Sequence, residues 1–221
     1  MKKKTLLATL VMISLLQGNV YAGKIAPDTY EDEYKYTHPS NTAGFTIDTA
    51  GDYDFKGGLV LERDTSKFSS GTNTALIGLI GTATDSDKII TITVGNSEVG
   101  SNRVKLDLTN IAGSNTLKKN IIHVGGNVDD YSNILNINLK NSDMHIDGKY
   151  YGAIVVDNIQ TNYSTNGKIN INGDGSSDLI IGGDMTKGVY VHGNGYLNIK
   201  GIDDFIIFND ALEKNIIMVN F

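Results

Sequence analysis

SNILNINLKNSDMHIDGKYYGAIVVDN (residues 132–158) is followed by two variations of the same pattern, NGKININGDGSSDLIIGGDMTKGVYVHGN (166–194) and NGYLNIKGIDDFIIFNDALEKNIIMVNF (194–221). Each repeat begins with alternating apolar and polar residues, which is the period of a half-buried β-strand. Two further short apolar segments follow in each repeat, separated by residues that favour turns. Three short strands in about 30 residues are typical of a repeat architecture.

The same pattern extends upstream to Thr74 in a looser form, and no segment has a helical period. Because the connections leave no room for crossover helices, the sequence predicts an all-β fold, a right-handed parallel β-helix (solenoid) of roughly five to six coils with an N-terminal cap. Hairpin signals at Asn166-Gly167 and Gly193-Asn194-Gly195 leave an antiparallel sandwich or barrel open as the alternative.

Stacked coils would place equivalent residues of successive repeats ~4.8 Å apart, the ordinary spacing of paired strands. We therefore predict that Ile137, Ile171 and Ile199 contact one another in sequence along one inner wall. On the outer surface, Asn138 and Asn172 would form part of a ladder of polar side chains.

The chain divides into four predicted regions. Residues 1–22 carry Lys2–Lys4, an apolar run and Ala22 before Gly23, which is the pattern of a secretory signal peptide. Residues 23–44 are interpreted as a flexible, acidic, tyrosine-rich lead, and residues 45–73 as the N-terminal cap of the solenoid. Residues 74–221 would form the β-helix repeats, with a C-terminal end that we expect to be uncapped.

Composition narrows the choice of partners and of stabilising forces. The formal net charge is −6, the only arginines are Arg63 and Arg103, and the lysines are scattered, so the clustered cations that nucleic-acid binding needs are missing and nucleic acid is not expected as a partner. The apolar run of the leader is shorter than the ~20 residues that span a bilayer, and no later segment is a candidate, so no membrane-spanning segment is predicted in the mature chain. The chain has no cysteine, and stacked repeats would have to provide the stability that disulfides supply in other exported proteins.

The leader, the lack of cysteine, the richness in Gly and Asn, and the repeated phrases Leu-Asn-Ile-x-Gly, x-Ile-Ile and Gly-Val-x-Val-x-Asn mark a resemblance. Over residues 45–221 the chain resembles the passenger (β-helix) region of a Gram-negative autotransporter, with a pectin-lyase-like repeat fold, but lacks the translocator barrel. The resemblance implies export through the inner membrane and a location at the cell surface or outside the cell, otherwise in the periplasm. A truncated autotransporter and a non-functional gene fragment both remain open.

The implied role is structural or adhesive, with host or neighbouring-cell surface molecules or carbohydrate as partners. End-to-end self-association is a further expectation, because an uncapped coil exposes strand edges and apolar rows. The alternative is a β-helical polysaccharide lyase or hydrolase, which needs carboxylates together with Arg or Lys on one outer sheet. Most Asp residues fall at turns and Arg103 lies far from them in sequence, so we predict no enzyme, no catalytic residue and no cofactor. Asp together with Lys or Arg within ~4 to 6 Å in one groove would favour the enzyme.

One weak metal site is a candidate for calcium, since its oxygen-bearing side chains are spaced as in calcium loops: Asn170, Asn172, Asp174 and Asp178. Ile181 stands where a closing Glu is required, and the two asparagines belong to the outer face of a predicted strand, so an ordinary Asp-Gly turn is preferred. No pair among the four histidines has ligand spacing, and all four are predicted to be surface or sheet-edge residues: His38, His123, His145 and His192.

Overall fold

The computed structural model describes residues 24–38, 44–69, 72–80, 86–98, 101–113, 119–125, 132–157, 167–192, 194–208 and 217–218. Regular structure in these ranges is β-strand throughout, which confirms the predicted all-β class. The strands are β1 (Thr29–Tyr30), β2 (Tyr34–His38), β3 (Gly44–Ile47), β4 (Gly51–Phe55), β5 (Leu59–Asp64), β6 (Thr74–Ile80), β7 (Lys88–Gly95), β8 (Val104–Ala112), β9 (Asn120–Gly125), β10 (Asn133–Lys140), β11 (Ser142–Val156), β12 (Gly167–Ile181), β13 (Asp184–Val191), β14 (Tyr196–Ile207) and β15 (Ile217–Met218).

The strands form three parallel ladders. The first ladder joins β1, β4, β7, β10 and the amino-terminal parts of β12 and β14. The second joins β2, β5, β8, the amino-terminal part of β11 and the carboxyl-terminal parts of β12 and β14. The third joins β3, β6, β9, the carboxyl-terminal part of β11, and β13. One strand from each ladder in succession makes one repeating unit.

This arrangement of parallel strands in a curled sheet is consistent with a β-helix or solenoid. The antiparallel alternative does not hold for these ladders, because the antiparallel pairing among the described strands is confined to β14 and β15. The predicted signal peptide lies outside the described residues. Among the residues that are described, no helix is long and apolar enough to cross a membrane.

The predicted stacking of isoleucines is confirmed. Ile137 pairs in register with Ile171, and Ile171 pairs with Ile199. The side chains of Ile137 and Ile171 are fully buried, and Ile199 is partly buried against the same core. Burial of one such side chain contributes about 1.5 to 3 kcal/mol, so each added unit extends a core that its neighbours already share.

The polar ladder on the outer surface is also confirmed. The Asn170 amide donates a hydrogen bond of 2.8 Å to Asn136 Oδ1, and the Asn172 amide donates one of the same length to Asn138 Oδ1. Residues on alternate positions of these strands point to opposite faces, so the same alternation that buries isoleucine aligns the asparagines. The buried row of isoleucines and the outer row of asparagines are therefore both consistent with one register of the paired strands.

Tight corners separate the ladders and require unusual backbone angles. Asn141, between β10 and β11, has a φ of 49°, in the left-handed region that Asn tolerates better than most residues. Gly148, at the bend within β11, has a φ of 103°, and a Cβ at this position would lie 2.2 Å from the Asn110 carbonyl oxygen. The corner at Gly148 lets β11 run from the second ladder into the third without an intervening loop.

The central strands of the third ladder, β6 and β9, differ from those of the other two ladders because both of their faces are buried. Every residue of β9, and all but the last of β6, is buried, in contrast to the alternating exposure of β5, β8 and β10. Continuous apolar runs such as TALIGLI in β6 are typical of strands covered on both faces. Burial decreases in β13, where most residues are only partly covered.

The structure differs from the sequence interpretation at the start of the chain. The segment predicted as a flexible lead contains β1 and β2, which pair with β4 and β5. The ring centroids of Tyr30 and Phe55 are 4.7 Å apart and those of Tyr30 and Tyr34 are 4.6 Å apart, so aromatic side chains cover this end of the core. The strands of the predicted cap, β3, β4 and β5, lie in the same ladders as those after residue 74.

Candidate functional site

The outer side of the second ladder carries a row of charged side chains from successive strands, which we call the charged face. Alternation turns the apolar residues inward, for example Leu61, Leu108 and Ile146, and leaves their neighbours outward. The outward residues in register include Lys35, Glu62, Lys105, Asp107, Thr109, Asp143, His145 and Asp147. Parallel stacking thus gathers groups that lie far apart in the sequence.

A groove of about 510 Å³ follows the charged face. Its lining combines carboxylates, two basic groups and apolar side chains: Glu33, Lys35, Val60, Glu62, Asp107, Thr109, His145, Asp147, Ile180 and Phe208, with Ile146 between them. Phe208 is 39% exposed, which is unusual for a phenylalanine side chain and gives the groove an aromatic wall. Four carboxylates against one lysine make the groove anionic.

Two charged pairs cross between strands inside the groove. Lys35 Nζ lies 3.0 Å from Glu62 Oε1, and the Thr37 hydroxyl donates to Glu62 Oε2 at 3.1 Å. The hydrogen bond from Lys35 lowers the pKa of Glu62 and, with the Thr37 hydroxyl, outweighs the effect of burial, so Glu62 is held as an acceptor. His145 Nδ1 lies 3.4 Å from Asp107 Oδ1, with both side chains about one-third exposed. These groups can accept hydrogen bonds from hydroxyl or ammonium groups of a ligand.

A second set of charges converges at the corner between the first and second ladders. Arg103 Nε donates to Asp143 Oδ2 at 2.7 Å, and Arg103 Nη2 donates to the other oxygen of Asp143 and to the Ser176 carbonyl. The Asp178 N–H donates to Asp143 Oδ1 at 2.9 Å. Burial would raise the pKa of Asp143, but these hydrogen bonds and the guanidinium charge lower it overall. Asp143, through its hydrogen bond, raises the pKa of Arg103.

The sequence analysis separated Arg103 from the aspartates, and the structure brings them together. Both oxygens of Asp143 are bonded by Arg103, and Asp143 is only 13% exposed, so this carboxylate joins three successive units. The corner lies outside the groove lining. The pairing of Asp143 with Arg103 therefore forms a structural clamp, whereas the acid–base pairs inside the groove are Lys35 with Glu62 and His145 with Asp107.

Three of the four calcium candidates, Asn170, Asn172 and Asp174, have hydrogen-bond partners within the chain. Asn170 and Asn172 bond the neighbouring asparagines in the outer polar ladder. Asp174 accepts four hydrogen bonds, from the Asn141 and Ser176 N–H groups and from two serine hydroxyls. Burial would raise the pKa of Asp174, but these hydrogen bonds lower it to about 2. Among the described residues, no group of three or more His, Asp or Glu side chains is placed to hold a metal ion.

The prediction that all four histidines lie at the surface or sheet edge is wrong for His123, which is 1% exposed on β9, between β6 and β11; His38 is 2% exposed but lies on β2, the first strand of the second ladder. The Asn120 amide lies 2.9 Å from His123 Nδ1, and Asp157 Oδ1 lies 2.6 Å from His123 Nε2. Both ring nitrogens thus have hydrogen-bond partners, which offset the cost of burying a polar ring. No signal in the sequence joins His123 to Asp157, which lies one unit further along.

Two buried cations also escaped the sequence analysis. Arg63 is 2% exposed and donates to the Gly44 and Ala75 carbonyls at 2.6 and 2.8 Å, and burial lowers its pKa to about 9. Lys119 donates to the Ser69 and Thr72 carbonyls at 2.7 and 3.0 Å, and burial likewise lowers its pKa. Arg63 binds the first residues of β3 and β6, and Lys119 binds the connection between β5 and β6, so both groups hold the entry to the third ladder in place.

No family model, curated protein or solved structure matches the chain.

Proposed function

We propose that the chain is an exported right-handed parallel β-helix of roughly five to six coils that acts at the cell surface or outside the cell as a structural or adhesive protein, in the manner of an autotransporter passenger. The observation that carries the proposal is the charged face, where outward side chains from four successive strands border a groove of about 510 Å³. A rigid stack of parallel strands holds these contact groups at fixed spacing, which limits the entropy lost on binding.

The chemistry of the groove favours a ligand rich in hydroxyl groups, such as surface carbohydrate. Glu62, Asp107 and Asp147 supply acceptors, and Phe208 supplies an aromatic surface against which a sugar ring can pack. Each hydrogen bond contributes about 0.5 to 1.5 kcal/mol net, so one sugar residue binds weakly and useful affinity needs several contacts along the face. Repetition of the strands supplies such contacts.

A polysaccharide lyase or hydrolase is the second candidate, favoured by the presence of Lys35, His145 and carboxylates in one groove. A general acid working near neutral pH needs a raised pKa, whereas the pKa of Glu62 is lowered by Lys35. The proximity of Lys35 to Glu62 suits a binding contact more than proton transfer. Adhesion is accordingly the proposed role, and cleavage is an alternative outcome of the test below.

The test compares binding of the purified chain to an array of bacterial and host glycans with that of a groove variant, Glu62→Gln/Asp107→Asn/Asp147→Asn. The matched control is Asp203→Asn/Asp204→Asn, because these two acids are exposed and lie outside the groove lining. We expect binding that the groove variant weakens by about tenfold or more while the control does not change it. Equal binding by all three proteins would refute the site, and release of shortened oligosaccharides would favour the enzyme.

Export is tested separately with the full coding sequence expressed in a Gram-negative host. Removal of residues 1–22 should retain the chain in the cytoplasm, and the intact chain should become accessible to external protease or appear in the medium. Detection of the intact chain in the cytoplasm alone would contradict the proposed location.

A further inference from the structure

The outer side of the first ladder carries two columns of uncharged polar side chains, which together we call the polar array. Each member of a column lies on a different strand, in register with the next member, and all of these side chains are partly exposed. The first column consists of Thr91, Asn136, Asn170 and Asn198, and the second of Thr93, Asn138 and Asn172.

The polar array has a fixed geometry in two directions. Successive members of a column are one strand apart, ~4.8 Å, and the two columns are two residues apart along each strand, ~6.6 Å. The bonds of 2.8 Å from Asn170 to Asn136 and from Asn172 to Asn138 hold the amide groups of neighbouring strands in a common orientation. A ligand that lies across the strands therefore meets the same chemical groups again at each strand.

The amides of the polar array keep hydrogen-bonding capacity beyond these contacts. A side-chain amide has two N–H donors and an oxygen that accepts twice. The bond between Asn170 and Asn136 uses one donor of the first and one acceptor site of the second, and the bond between Asn172 and Asn138 does the same. The remaining donors and acceptors are available to the hydroxyl groups of a ligand.

Formal charge enters the two columns only at their ends. Asp52 and Asp54 of β4 pair with Thr91 and Thr93, and Lys200 of β14 pairs with Asn172. The strands between these ends contribute only hydroxyl and amide groups to the columns. The polar array thus complements an uncharged ligand, in contrast to the anionic groove on the second ladder.

We propose that the polar array binds a linear, uncharged polysaccharide of the extended β-1,4-linked glucan type, which crosses the strands with one sugar residue on each. Each residue of such a chain advances by nearly the distance between stacked strands, so the contacts stay in step along a column. Successive sugar residues are turned over, and the columns on either side can bond to whichever hydroxyl edge faces them. This site is separate from the groove of the charged face, whose lining belongs to other strand faces.

Oligosaccharides of one sugar and two linkages test the match in spacing. Isothermal titration of the purified chain should show affinity rising from cellobiose to cellotetraose by about twofold to tenfold per sugar residue, because each added residue contributes about one hydrogen bond. Maltotetraose has the same composition and no charge, but its α-1,4 linkages curl the chain out of step with the strands. We expect it to bind at least about tenfold more weakly than cellotetraose.

A double variant within the first column tests the side chains. Asn136→Ala/Asn170→Ala removes both partners of one hydrogen bond, so no buried group is left unpaired, and the fold should be kept in urea unfolding. Its affinity for cellotetraose should fall by about tenfold or more. Thr93→Ala/Asn138→Ala makes the same test in the second column. Asp203→Asn/Asp204→Asn, at two exposed positions outside the polar array, is the control and should bind as the unchanged chain does.

Ionic strength separates this site from the charged face. Binding of an uncharged oligosaccharide by uncharged side chains should be the same in low and high salt, because there is no charge interaction to screen.

Four outcomes would overturn the proposal. They are no binding of cellotetraose, equal affinities for cellotetraose and maltotetraose, unchanged affinity in both column variants, and loss of affinity with added salt. If Glu62→Gln/Asp107→Asn/Asp147→Asn loses cellotetraose while both column variants keep it, the oligosaccharide belongs to the groove and the polar array is not its site.

Discussion

Replacement of Ile171 by alanine tests the stacked core at a fully buried position. The side chain is fully buried, and the row places Ile137 on one side of it and Ile199 on the other. Removal of three carbon atoms costs about 0.8 kcal/mol each in transfer free energy, and the remaining cavity adds to this. We expect the free energy of unfolding to fall by about 3 to 4 kcal/mol.

Ile199→Ala is the matched comparison, because the same substitution is made in the same row at a partly buried position. The expected loss is about 1 to 2 kcal/mol, since less area is removed from the core. Lys168→Ala, at an exposed position of β12, should change stability by less than about 0.5 kcal/mol. The difference between the two isoleucine variants is the quantity that depends on the stacking.

Urea unfolding followed by far-ultraviolet circular dichroism measures these losses, and thermal unfolding should show a fall in Tm of about 6 to 16 °C for Ile171→Ala. Equal losses at the two isoleucines, or a loss below about 1 kcal/mol at Ile171, would refute the reasoning. Such a result would mean that the row from Ile137 to Ile199 does not form one continuous core.

Three further predictions concern the corners. Arg103→Met should lower the free energy of unfolding by about 1 to 3 kcal/mol, because Asp143 keeps its partly buried charge and loses its bidentate partner. The double variant Arg103→Met/Asp143→Asn should recover part of the lost stability, as measured by urea unfolding. Asp174, whose folded pKa is about 2, stabilises the fold fully above pH ~4, and this contribution is lost as pH falls toward 2; Asp174→Asn should flatten that part of the stability profile. Gly148→Ala should cost more than about 3 kcal/mol in thermal unfolding, because the new Cβ meets the Asn110 carbonyl.

The strands and their register were predictable wherever one face is buried and the other is polar. In Leu135-Asn136-Ile137-Asn138 the alternation indicates a strand, and the recurrence of Asn and Ile at Asn170 and Ile171 predicts which residues stack. A shift of one residue would turn the isoleucines outward, so the alternation excludes every register that is shifted by an odd number of residues. For this reason the polar and apolar rows were both correctly predicted.

The strands at the start of the chain were not predicted, because acidic residues obscure the alternation of apolar and polar side chains there. Tyr34, Tyr36 and His38 occupy alternate positions, but Glu31, Asp32 and Glu33 precede them and suggest a solvated lead. The aromatic rings become part of the core only after Phe55 is brought beside them by the pairing of β1 with β4. That contact joins residues about 25 positions apart, beyond the reach of a local pattern.

The candidate site depends still more on contacts between units. Arg103 and Asp143 lie 40 residues apart, and only the pairing of β8 with β11 places them at the same corner. Lys35 and Asp147 likewise share the surface of the groove only because the four strands β2, β5, β8 and β11 pair in register. Side chains on the outer face of a strand leave no period that distinguishes a ligand contact from a solvated charge.

Contacts between methyl groups test the central claim, the parallel stacking of successive units, most directly. In a sample with labelled isoleucine methyl groups, nuclear Overhauser cross-peaks should join Ile137 to Ile171 and Ile171 to Ile199, which lie in strands ~4.8 Å apart. The cross-peak between Ile137 and Ile199, two strands apart at ~9.6 Å, should be absent or much weaker. Absence of both neighbouring cross-peaks, or a direct one from Ile137 to Ile199 of equal strength, would contradict the stacking.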